Sequence, residues 1–251
     1  MKQILITGKS GFLAQNVVKY FSDRYECIAV SHQDGGKLSE VCKTCDFVFH
    51  LAAVQRSTKD KDFWMGNVTY TYDLIKLLET NHNCVPILFS TSIGIDKPSV
   101  FAETKLEAER LLREYSKKNG VPVYVYKLNN IFGQWGKPNF NNIIATFCNN
   151  LANKEPLIVN NPGTILYFTY IEDLMEDFDR VFDSNGVVCG TDGYLTTSIK
   201  YKKTLGEVIM ALGNAVNRYS PQDEFEEKLY KTLSFYILEA ANAAGDYHTE
   251  L

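Results

Sequence analysis

The segment Thr7-Gly8-Lys9-Ser10-Gly11-Phe12-Leu13-Ala14 decides the fold, because it joins an apolar run at Gln3–Thr7 to a helical pattern over residues 11–23. Gly8 permits a tight turn, and Gly11 lets the backbone approach a diphosphate at the positive end of the helix. Ala14, in the third small position, allows the helix to pack closely on the strand. The segment therefore predicts a dinucleotide-binding turn, with a purely structural turn as the alternative.

The rest of the chain continues this alternation of short β-like runs and helical patterns. We expect further strands at residues 27–30, 46–50, 86–89 and 122–128, and helices at 63–79, 101–118, 143–152, 172–182 and 223–243. Such alternation is typical of a parallel sheet that helices cover on both faces. The prediction is an α/β fold, a Rossmann-like doubly wound parallel sheet in residues 1–130 with a smaller, interleaved C-terminal substrate-binding lobe in residues 131–251.

Composition narrows the class of protein. The 251 residues fit one α/β domain, and 45% apolar with 22% charged residues are ordinary values for a globular protein. A net charge of −4 without a basic block argues against a nucleic-acid partner. No apolar run approaches the roughly 18 residues of a membrane span, and the N-terminus lacks a signal peptide. We therefore expect a cytoplasmic protein with no membrane partner.

Cysteine spacing offers one alternative to this picture. Cys42 and Cys45 form a C-x-x-C pair, which is compatible with a redox pair or with half of a zinc site. No second pair completes four ligands, and an apolar strand follows directly. We interpret the scattered cysteines as small buried apolar residues and expect no metal site. The six are Cys27, Cys42, Cys45, Cys84, Cys148 and Cys189.

The end of the second strand bears on the type of cofactor. An acidic residue there would hold the ribose hydroxyls of NAD, but the sequence reads Ser31-His32-Gln33. Without a carboxylate to repel a 2′-phosphate, NADP(H) is favoured, and NAD(H) stays open. His32 is either a cation for that phosphate or an ordinary exposed loop residue.

Five segments together resemble the extended short-chain dehydrogenase/reductase family, whose members act largely on nucleotide sugars. They are Thr7–Ala14, His50-Leu51-Ala52-Ala53, Asn67, Ser90-Thr91-Ser92 and Asn130-Ile131-Phe132-Gly133. The resemblance implies that a nicotinamide cofactor contacts a set of residues along these turns. That set is Gly8, Lys9, Ser10, Gly11, Phe12, Leu13, His32, Leu51, Ala52, Ala53, Lys105 and Asn130.

Within this family the sequence more closely resembles the reductase domains of the bifunctional capsular-polysaccharide enzymes that make UDP-N-acetyl-L-fucosamine. The segments 133–142, 145–148, 205–207 and 225–233 carry that similarity. It implies a homodimer formed through the helices at 63–79 and 101–118. Those enzymes also carry a C-terminal cupin domain for epimerisation, so the resemblance raises the prospect of a separate cupin epimerase as a partner.

Catalysis in the family rests on Tyr-x-x-x-Lys at a helix start, with a Ser or Thr from the preceding strand. Residues four apart share a helix face, so the lysine can depress the phenol pKa and the tyrosine can protonate a carbonyl oxygen. Here the pattern reads Phe101-Ala102-Glu103-Thr104-Lys105, with Ser92 on the strand. Phe101 fills the volume but has no proton to give.

Two explanations for Phe101 stay open at this point. One is an engineered Tyr→Phe change that traps substrate, and the other is a natural departure with another acid or with no catalysis. Ser99, Thr104 and a water molecule are the candidate substitutes. The resemblance implies that Ser92 hydrogen-bonds the keto oxygen and that Lys105 holds the nicotinamide ribose.

A UDP-sugar would lie at the carboxyl ends of the strands, beneath the C-terminal lobe. The loop 134–142 offers Trp135 for stacking, Lys137 for a diphosphate, and amides for hydroxyl groups. The predicted substrate contacts are Arg56, Ser92, Asn130, Gln134, Trp135, Lys137, Asn139 and Asn142.

These observations lead to the hypothesis of an NADP(H)-dependent reductase of a 4-keto UDP-sugar, of the UDP-2-acetamido-2,6-dideoxyhexos-4-ulose type, acting in surface polysaccharide synthesis. One alternative is a non-catalytic NADP(H)-binding sensor or partner protein. Another is a C4 epimerase or dehydratase that recycles a tightly bound NAD.

Overall fold

A computed structural model describes residues 1–183 and 193–244 of the chain. They form two compact units. The first comprises Met1–Leu128 and the described residues of Met175–Thr197, and the second comprises Asn129–Leu174 and the described residues from Ser198 onward. Cys189 lies outside the described residues. None of the described helices combines the length and the apolar character needed to span a bilayer.

The first unit is built on five parallel strands, in the order β2-β1-β3-β4-β5. The strands are β1 (Gln3–Thr7), β2 (Glu26–Val30), β3 (Phe47–His50), β4 (Ile87–Ser92) and β5 (Val123–Leu128). After β2 the chain returns to the opposite side of β1. The carboxyl ends of β1 and β3 therefore flank the point where strand order reverses, which is where open α/β sheets bind ligands.

Side-chain alternation along β3 shows why helices cover both faces of this sheet. Phe47 and Phe49 lie on one face, where their rings contact Phe182 and Phe21. Val48 lies on the other face, in a buried cluster with Leu74 and with other residues of the helices there. The sequence prediction of a Rossmann-like parallel sheet flanked by helices is confirmed.

The helices of this unit agree with the sequence prediction at most positions. They are α1 (Phe12–Phe21), α2 (Gly35–Val41), α3 (Asp60–Phe63), α4 (Tyr70–Thr80) and α5 (Val100–Asn119). A π-helical segment, Trp64–Thr69, joins α3 to α4. Helix α2 was not expected from the sequence, because the pair Gly35-Gly36 at its start is typical of a turn. Gly120, with φ +67°, ends α5 as predicted.

The second unit contains a three-stranded sheet and three helices. Strands β6 (Asn130–Phe132) and β7 (Ile165–Tyr170) are parallel, and β8 (Tyr201–Thr204) is antiparallel to β7. The helices are α6 (Ile143–Ala152), α8 (Leu205–Val216) and α9 (Glu224–Ala244). The division between the units falls within α7 (Ile171–Phe182). In α9, Lys228 Nζ lies 2.7 Å from an Asp173 carboxylate oxygen and 2.8 Å from Tyr201 Oη, which ties this helix to its neighbours.

Candidate active site

The glycine turn after β1 depends on a residue without a side chain. Gly8 has φ +84°, and a Cβ there would lie 3.0 Å from the Ala52 backbone after β3. Its amide donates to Val30 O at the end of β2 (3.0 Å), and the Gly11 amide donates to Gly8 O (2.7 Å). The turn is thus held between the ends of two neighbouring strands.

Helix α1 begins directly after this turn with its first backbone amides open. Gly11 is the N-terminal cap residue of α1, and none of the described side chains accepts a hydrogen bond from the first amides of this helix. By contrast, Ser99 caps α5 and Thr204 caps α8 through side-chain oxygens. Uncapped N–H groups at a helix start carry partial positive charge and suit a phosphate group. The predicted contacts Lys9, Ser10, Phe12 and Leu13 all belong to this segment, with Lys9 and Ser10 exposed.

A buried histidine fixes the carboxyl ends of β1 and β3. Thr7 Oγ1 accepts from the amides of Leu51 and Ala52, each at 3.1 Å, and lies 2.8 Å from His50 Nδ1. His50 Nε2 lies 2.8 Å from Thr71 Oγ1, whose own proton goes to the Asn67 carbonyl. Thr71 can therefore only accept, so His50 carries its proton on Nε2 and accepts from Thr7 at Nδ1.

Burial reinforces this neutral form of the ring. Desolvation, with a smaller effect from the Lys105 charge, lowers the pKa of His50 to about 3. The positions of Leu51 and Ala52, predicted to contact cofactor, thus follow from hydrogen bonds to Thr7. His50 belongs to a motif that is visible in the sequence, but its role depends on contacts that only the fold shows.

Asn67 braces the start of α5 from the π-helical segment. Its Oδ1 accepts from the Val54 amide at 2.7 Å, and its Nδ2 donates to Thr104 Oγ1 at 3.0 Å. Thr104 Oγ1 in turn lies 2.9 Å from Val100 O and 3.1 Å from Phe101 O. A π-turn in a helix often marks a functional position, and here it places Asn67 against the turn that carries Phe101 and Lys105.

Ser92 and Phe101 meet at Gly94. Ser92 ends β4, and its Oγ accepts from the Gly94 amide at 2.9 Å. A Cβ on Gly94 would lie 3.1 Å from Ser92 Oγ and 3.7 Å from Phe101 Cε1. The Gly94 amide thus fixes the position of Ser92 Oγ and leaves its proton free to donate. The neighbouring edge of the Phe101 ring carries no polar atom.

Lys105 lies one helical turn after Phe101 and is buried, with 2% of its surface exposed. Its Nζ lies 3.8 Å from the centre of the Phe89 ring. No hydrogen bond or ion pair joins that Nζ to any residue in the described part of the chain. Burial lowers the pKa of Lys105 to about 7, and the Glu109 carboxylate opposes this shift. A buried ammonium without a hydrogen-bond acceptor is suited to hold ligand hydroxyls.

The end of β2 corrects one premise of the sequence analysis, which found no carboxylate there. Asp34 Oδ2 accepts from the Ser31 amide and from Ser31 Oγ, both at 2.9 Å. The hydrogen bonds to Ser31, with smaller effects of Lys9 and Lys37, lower the pKa of Asp34. The spacing Ser31-x-x-Asp34 was the feature of the sequence that could have indicated this turn. His32 is exposed in the same turn.

Two of the substitutes considered for the missing tyrosine are engaged elsewhere. Thr104 is fully buried and its hydroxyl bonds helix carbonyls and Asn67. Ser99 Oγ accepts from the Ala102 amide as the α5 cap (3.1 Å). The Thr104 hydroxyl is therefore committed to the helix, whereas Ser99 Oγ is held as an acceptor in the same way as Ser92 Oγ is held by the Gly94 amide.

In the second unit, several predicted substrate contacts have internal hydrogen-bond partners. Asn142 Oδ1 accepts from Ala145 N (3.0 Å) as the α6 cap, and its Nδ2 donates to Ile131 O (2.9 Å). Asn130 Nδ2 donates to Tyr167 O (3.0 Å). The Trp135 ring contacts Phe235 edge to face.

Lys137 and Asn139, in the same loop, are more exposed than these residues. Lys137 is exposed, with Nζ 5.0 Å from the Phe140 ring centre. Asn139 is exposed at φ +57°, with its amide bonded to Thr146 Oγ1 (2.9 Å). Gln134 is half-buried in the same loop. In the first unit, Ala53 and Arg56 are exposed after β3.

Cys42 and Cys45 are buried core residues at the end of α2 and after it. Desolvation raises the pKa of both thiols to about 12. Within the two described stretches, no group of three or more His, Cys, Asp or Glu side chains is placed to hold a metal ion.

Comparison with known proteins identifies the family. The model of the NAD dependent epimerase/dehydratase family matches residues 4–189. The chain belongs to this family. It is 32% identical to UDP-2-acetamido-2,6-beta-L-arabino-hexul-4-ose reductase of Pseudomonas aeruginosa over 212 residues, covering 82% of this chain and 55% of the reductase.

Solved structures agree with this assignment. The crystal structure of the capsular polysaccharide assembling protein CapF from Staphylococcus aureus is 32% identical with a TM-score of 0.84. That match covers 99% of this chain and 68% of CapF. A UDP-N-acetylglucosamine 4-epimerase from Methanobrevibacter ruminantium, at 17% identity and a TM-score of 0.80 over 95% of this chain and 99% of that one, shares the fold. The chain thus spans 55% of the Pseudomonas reductase, little more than half its length.

Proposed function

We propose that this chain is an NADP(H)-dependent reductase of a 4-keto UDP-sugar, of the UDP-2-acetamido-2,6-dideoxyhexos-4-ulose type, in surface polysaccharide synthesis. The reductase from Pseudomonas aeruginosa is named for such a substrate, and it matches most of this chain. The observation that carries the proposal is Lys105, a buried ammonium without an internal hydrogen-bond partner, one turn from Phe101 and close in sequence to Ser92.

The residues of the first unit fit a nicotinamide dinucleotide. The open amides after Gly11 would hold the diphosphate, and Lys105 would hold ribose hydroxyls. When bound, the reduced nicotinamide supplies hydride to a carbonyl carbon. Ser92 would donate a hydrogen bond to the keto oxygen, since its own oxygen already accepts from the Gly94 amide.

The preference for NADP(H) rests on charges around β2. Lys9 and Lys37 both act on the Asp34 carboxylate electrostatically, and Ser31 engages its Oδ2. A 2′-phosphate would meet these two lysines and His32, whereas an NAD ribose would need Asp34 released from Ser31. Replacing Asp34 by Asn is expected to change NADPH affinity less than about threefold, while Lys37→Met weakens it about tenfold.

Restoring the missing phenol tests the function. Phe101→Tyr places a hydroxyl beside Ser92, and general acid catalysis is worth about 10²–10⁴-fold. We expect that variant to oxidise NADPH with UDP-2-acetamido-2,6-dideoxyhexos-4-ulose much faster than the Phe101 chain does. Phe101→Leu is the matched control, because it alters the ring without adding a proton donor. Tight NADPH binding without turnover in Phe101→Tyr would refute the reductase.

Phe101 itself favours a second candidate, a non-catalytic NADP(H)-binding sensor or partner protein. This function keeps the glycine turn and Lys105 but needs no acid. It predicts equal cofactor affinity in the Phe101 and Phe101→Tyr chains and no reduction of any 4-keto UDP-sugar by either.

We also propose a homodimer through the helical segment 64–80 and α5. Met65 and Tyr72 are 52% exposed there and Leu106 is 45% exposed, so these neighbouring elements present large apolar side chains to solvent. Light scattering is expected to give twice the chain mass of 28.5 kDa. A cytoplasmic location and a separate cupin epimerase as partner remain predictions.

A further inference from the structure

The turn that carries Phe101 holds few groups able to give a proton. Phe101 has none, the Thr104 hydroxyl is occupied by helix carbonyls and Asn67, and Ser99 is an exposed hydroxyl whose oxygen caps α5. Ser92 and Ser99 have hydroxyls, but a serine that gives up its proton becomes an alkoxide, which needs a second proton donor to restore it. Lys105 is the remaining charged donor on this turn, and it is buried.

The placement of Lys105 sets it apart from the other lysines of α5. Lys117 and Lys118 lie in the last turn, and Lys118 Nζ pairs with Glu79 at 2.8 Å, in solvent. Lys105 Nζ instead lies over the face of Phe89, on the strand that ends in Ser92. Thr91, two residues after Phe89 and on the same face of β4, has a buried hydroxyl without a partner among the described residues.

We propose that Lys105 is the proton donor for carbonyl reduction in this chain, in the place that tyrosine holds in its family. This inference rests on the proposed reductase function. As hydride reaches the carbonyl carbon, an N–H bond of the Lys105 ammonium breaks and an O–H bond forms at the former carbonyl oxygen. The products are an alcohol and a neutral Lys105 amine, which then regains a proton from water.

The charged and titratable groups that face Lys105 are few. His50 on β3 is neutral near pH 7, because burial lowers its pKa to about 3. Glu109, one turn later on α5, lies within electrostatic range and is paired with Arg113 Nε (2.7 Å) and Tyr194 Oη (3.0 Å). Burial of Lys105 outweighs Glu109 and leaves its pKa at about 7, where an acid gives and regains a proton readily.

The test follows one NADPH turnover with UDP-2-acetamido-2,6-dideoxyhexos-4-ulose between pH 6 and pH 9 in the Phe101 chain. Above pH 7 the rate is expected to fall about tenfold per pH unit, as the ammonium is lost. Lys105→Arg keeps a cation for ribose but is a poor acid, so the rate should drop about tenfold or more without that pH dependence. Lys118→Arg, on the same helix, is the control and should change neither.

A second measurement does not depend on turnover. Lysines labelled with ¹³C at Cε are titrated by NMR in the protein without ligands, and the Lys105 signal is assigned by its loss in Lys105→Arg. We expect a midpoint near pH 7 for Lys105. A midpoint near pH 10, or a turnover rate independent of pH, would overturn the proposal.

The remaining outcomes separate this inference from the proposed function. If the Phe101 chain is inactive and Phe101→Tyr is active, Lys105 is not the donor and the reductase proposal stands. If neither chain turns over while NADPH binds tightly, the reductase proposal fails and the inference fails with it. If Lys105→Arg does not fold, the pH profile of the Phe101 chain and the NMR titration midpoint of Lys105 still test the proposal. The Lys105 signal is then assigned by its loss in Lys105→Gln.

Discussion

The glycine turn of the first unit and the loop 134–142 of the second differ in how their polar groups are satisfied. The turn leaves the amides at the start of α1 uncapped. Lys105, on α5 of the same unit, is likewise a buried polar group without an internal hydrogen-bond partner among the described residues. In the loop, Asn142 uses both ends of its amide on Ala145 and Ile131, and Gly136 O accepts from Tyr236 Oη. Both regions looked like binding segments in the sequence.

The difference indicates which segments are prepared for a ligand. Buried or constrained polar groups that lack internal partners gain most from binding, whereas groups already bonded must first break those bonds. The turn therefore has the features of a site, and most of the loop amides have a structural explanation. Lys137 and Asn139 differ from Asn142, since both are exposed.

The largest effect is expected at Gly8. Gly8→Val forces a side chain into φ +84° and against the Ala52 backbone, so the amides no longer face a diphosphate. Loss of two charge-assisted hydrogen bonds corresponds to about 100-fold weaker NADPH binding by calorimetry. Gly36→Ala is the control, because no atom lies within 4 Å of its added Cβ. Equal NADPH affinity in the unaltered chain, Gly8→Val and Gly36→Ala would contradict the role of the turn as a binding site.

A smaller effect is expected at Asn67. Asn67→Ala removes its bonds to Val54 and Thr104 and leaves the Val54 amide unpaired, which costs about 2–3 kcal/mol in the free energy of unfolding. Urea denaturation measures this, and turnover should fall as well, since the start of α5 loses its brace. Asn81→Ala, which loses one bond to Leu77 O, is expected to cost about 1 kcal/mol or less. A cost for Asn67→Ala no larger than that control would remove its positioning role.

The loop offers a paired prediction about stability and affinity. Asn142→Ala should lower the free energy of unfolding by about 1 kcal/mol, as loss of a helix cap does, with substrate affinity unchanged. Lys137→Met should leave stability unchanged and weaken UDP-sugar binding about tenfold. Thermal denaturation and calorimetry with UDP-sugar distinguish them. The reverse pattern would make Asn142 a binding residue.

The last prediction concerns pH and stability. Because the pKa of folded Lys105 lies near 7, below its unfolded value of 10.5, the unfolded chain binds more protons between these values. The free energy of unfolding should therefore rise with pH from about 7 to 8.5, relative to Lys105→Met, by about 1 kcal/mol per pH unit. A flat difference would mean that Lys105 is solvated.

The sequence predicted those features that local pattern determines. The strand–turn–helix around Gly8 and the 20-residue α5 were predicted from periodicity, glycine positions and capping residues. The interactions of Thr7, His50 and Asn67 could not be predicted, because their partners are 13 to 45 residues away in sequence and meet them only in the folded chain. Asp34 was missed because its hydrogen bonds to Ser31 became evident only with the turn in place.

The measurement that bears most directly on the central claim is calorimetric titration of the unaltered Phe101 chain with NADPH and with NADH. We predict saturable binding at one site per chain, with higher affinity for NADPH than for NADH, and competition of 2′,5′-ADP with NADPH for that site. Absence of heat and of competition with either coenzyme at millimolar concentration would contradict it.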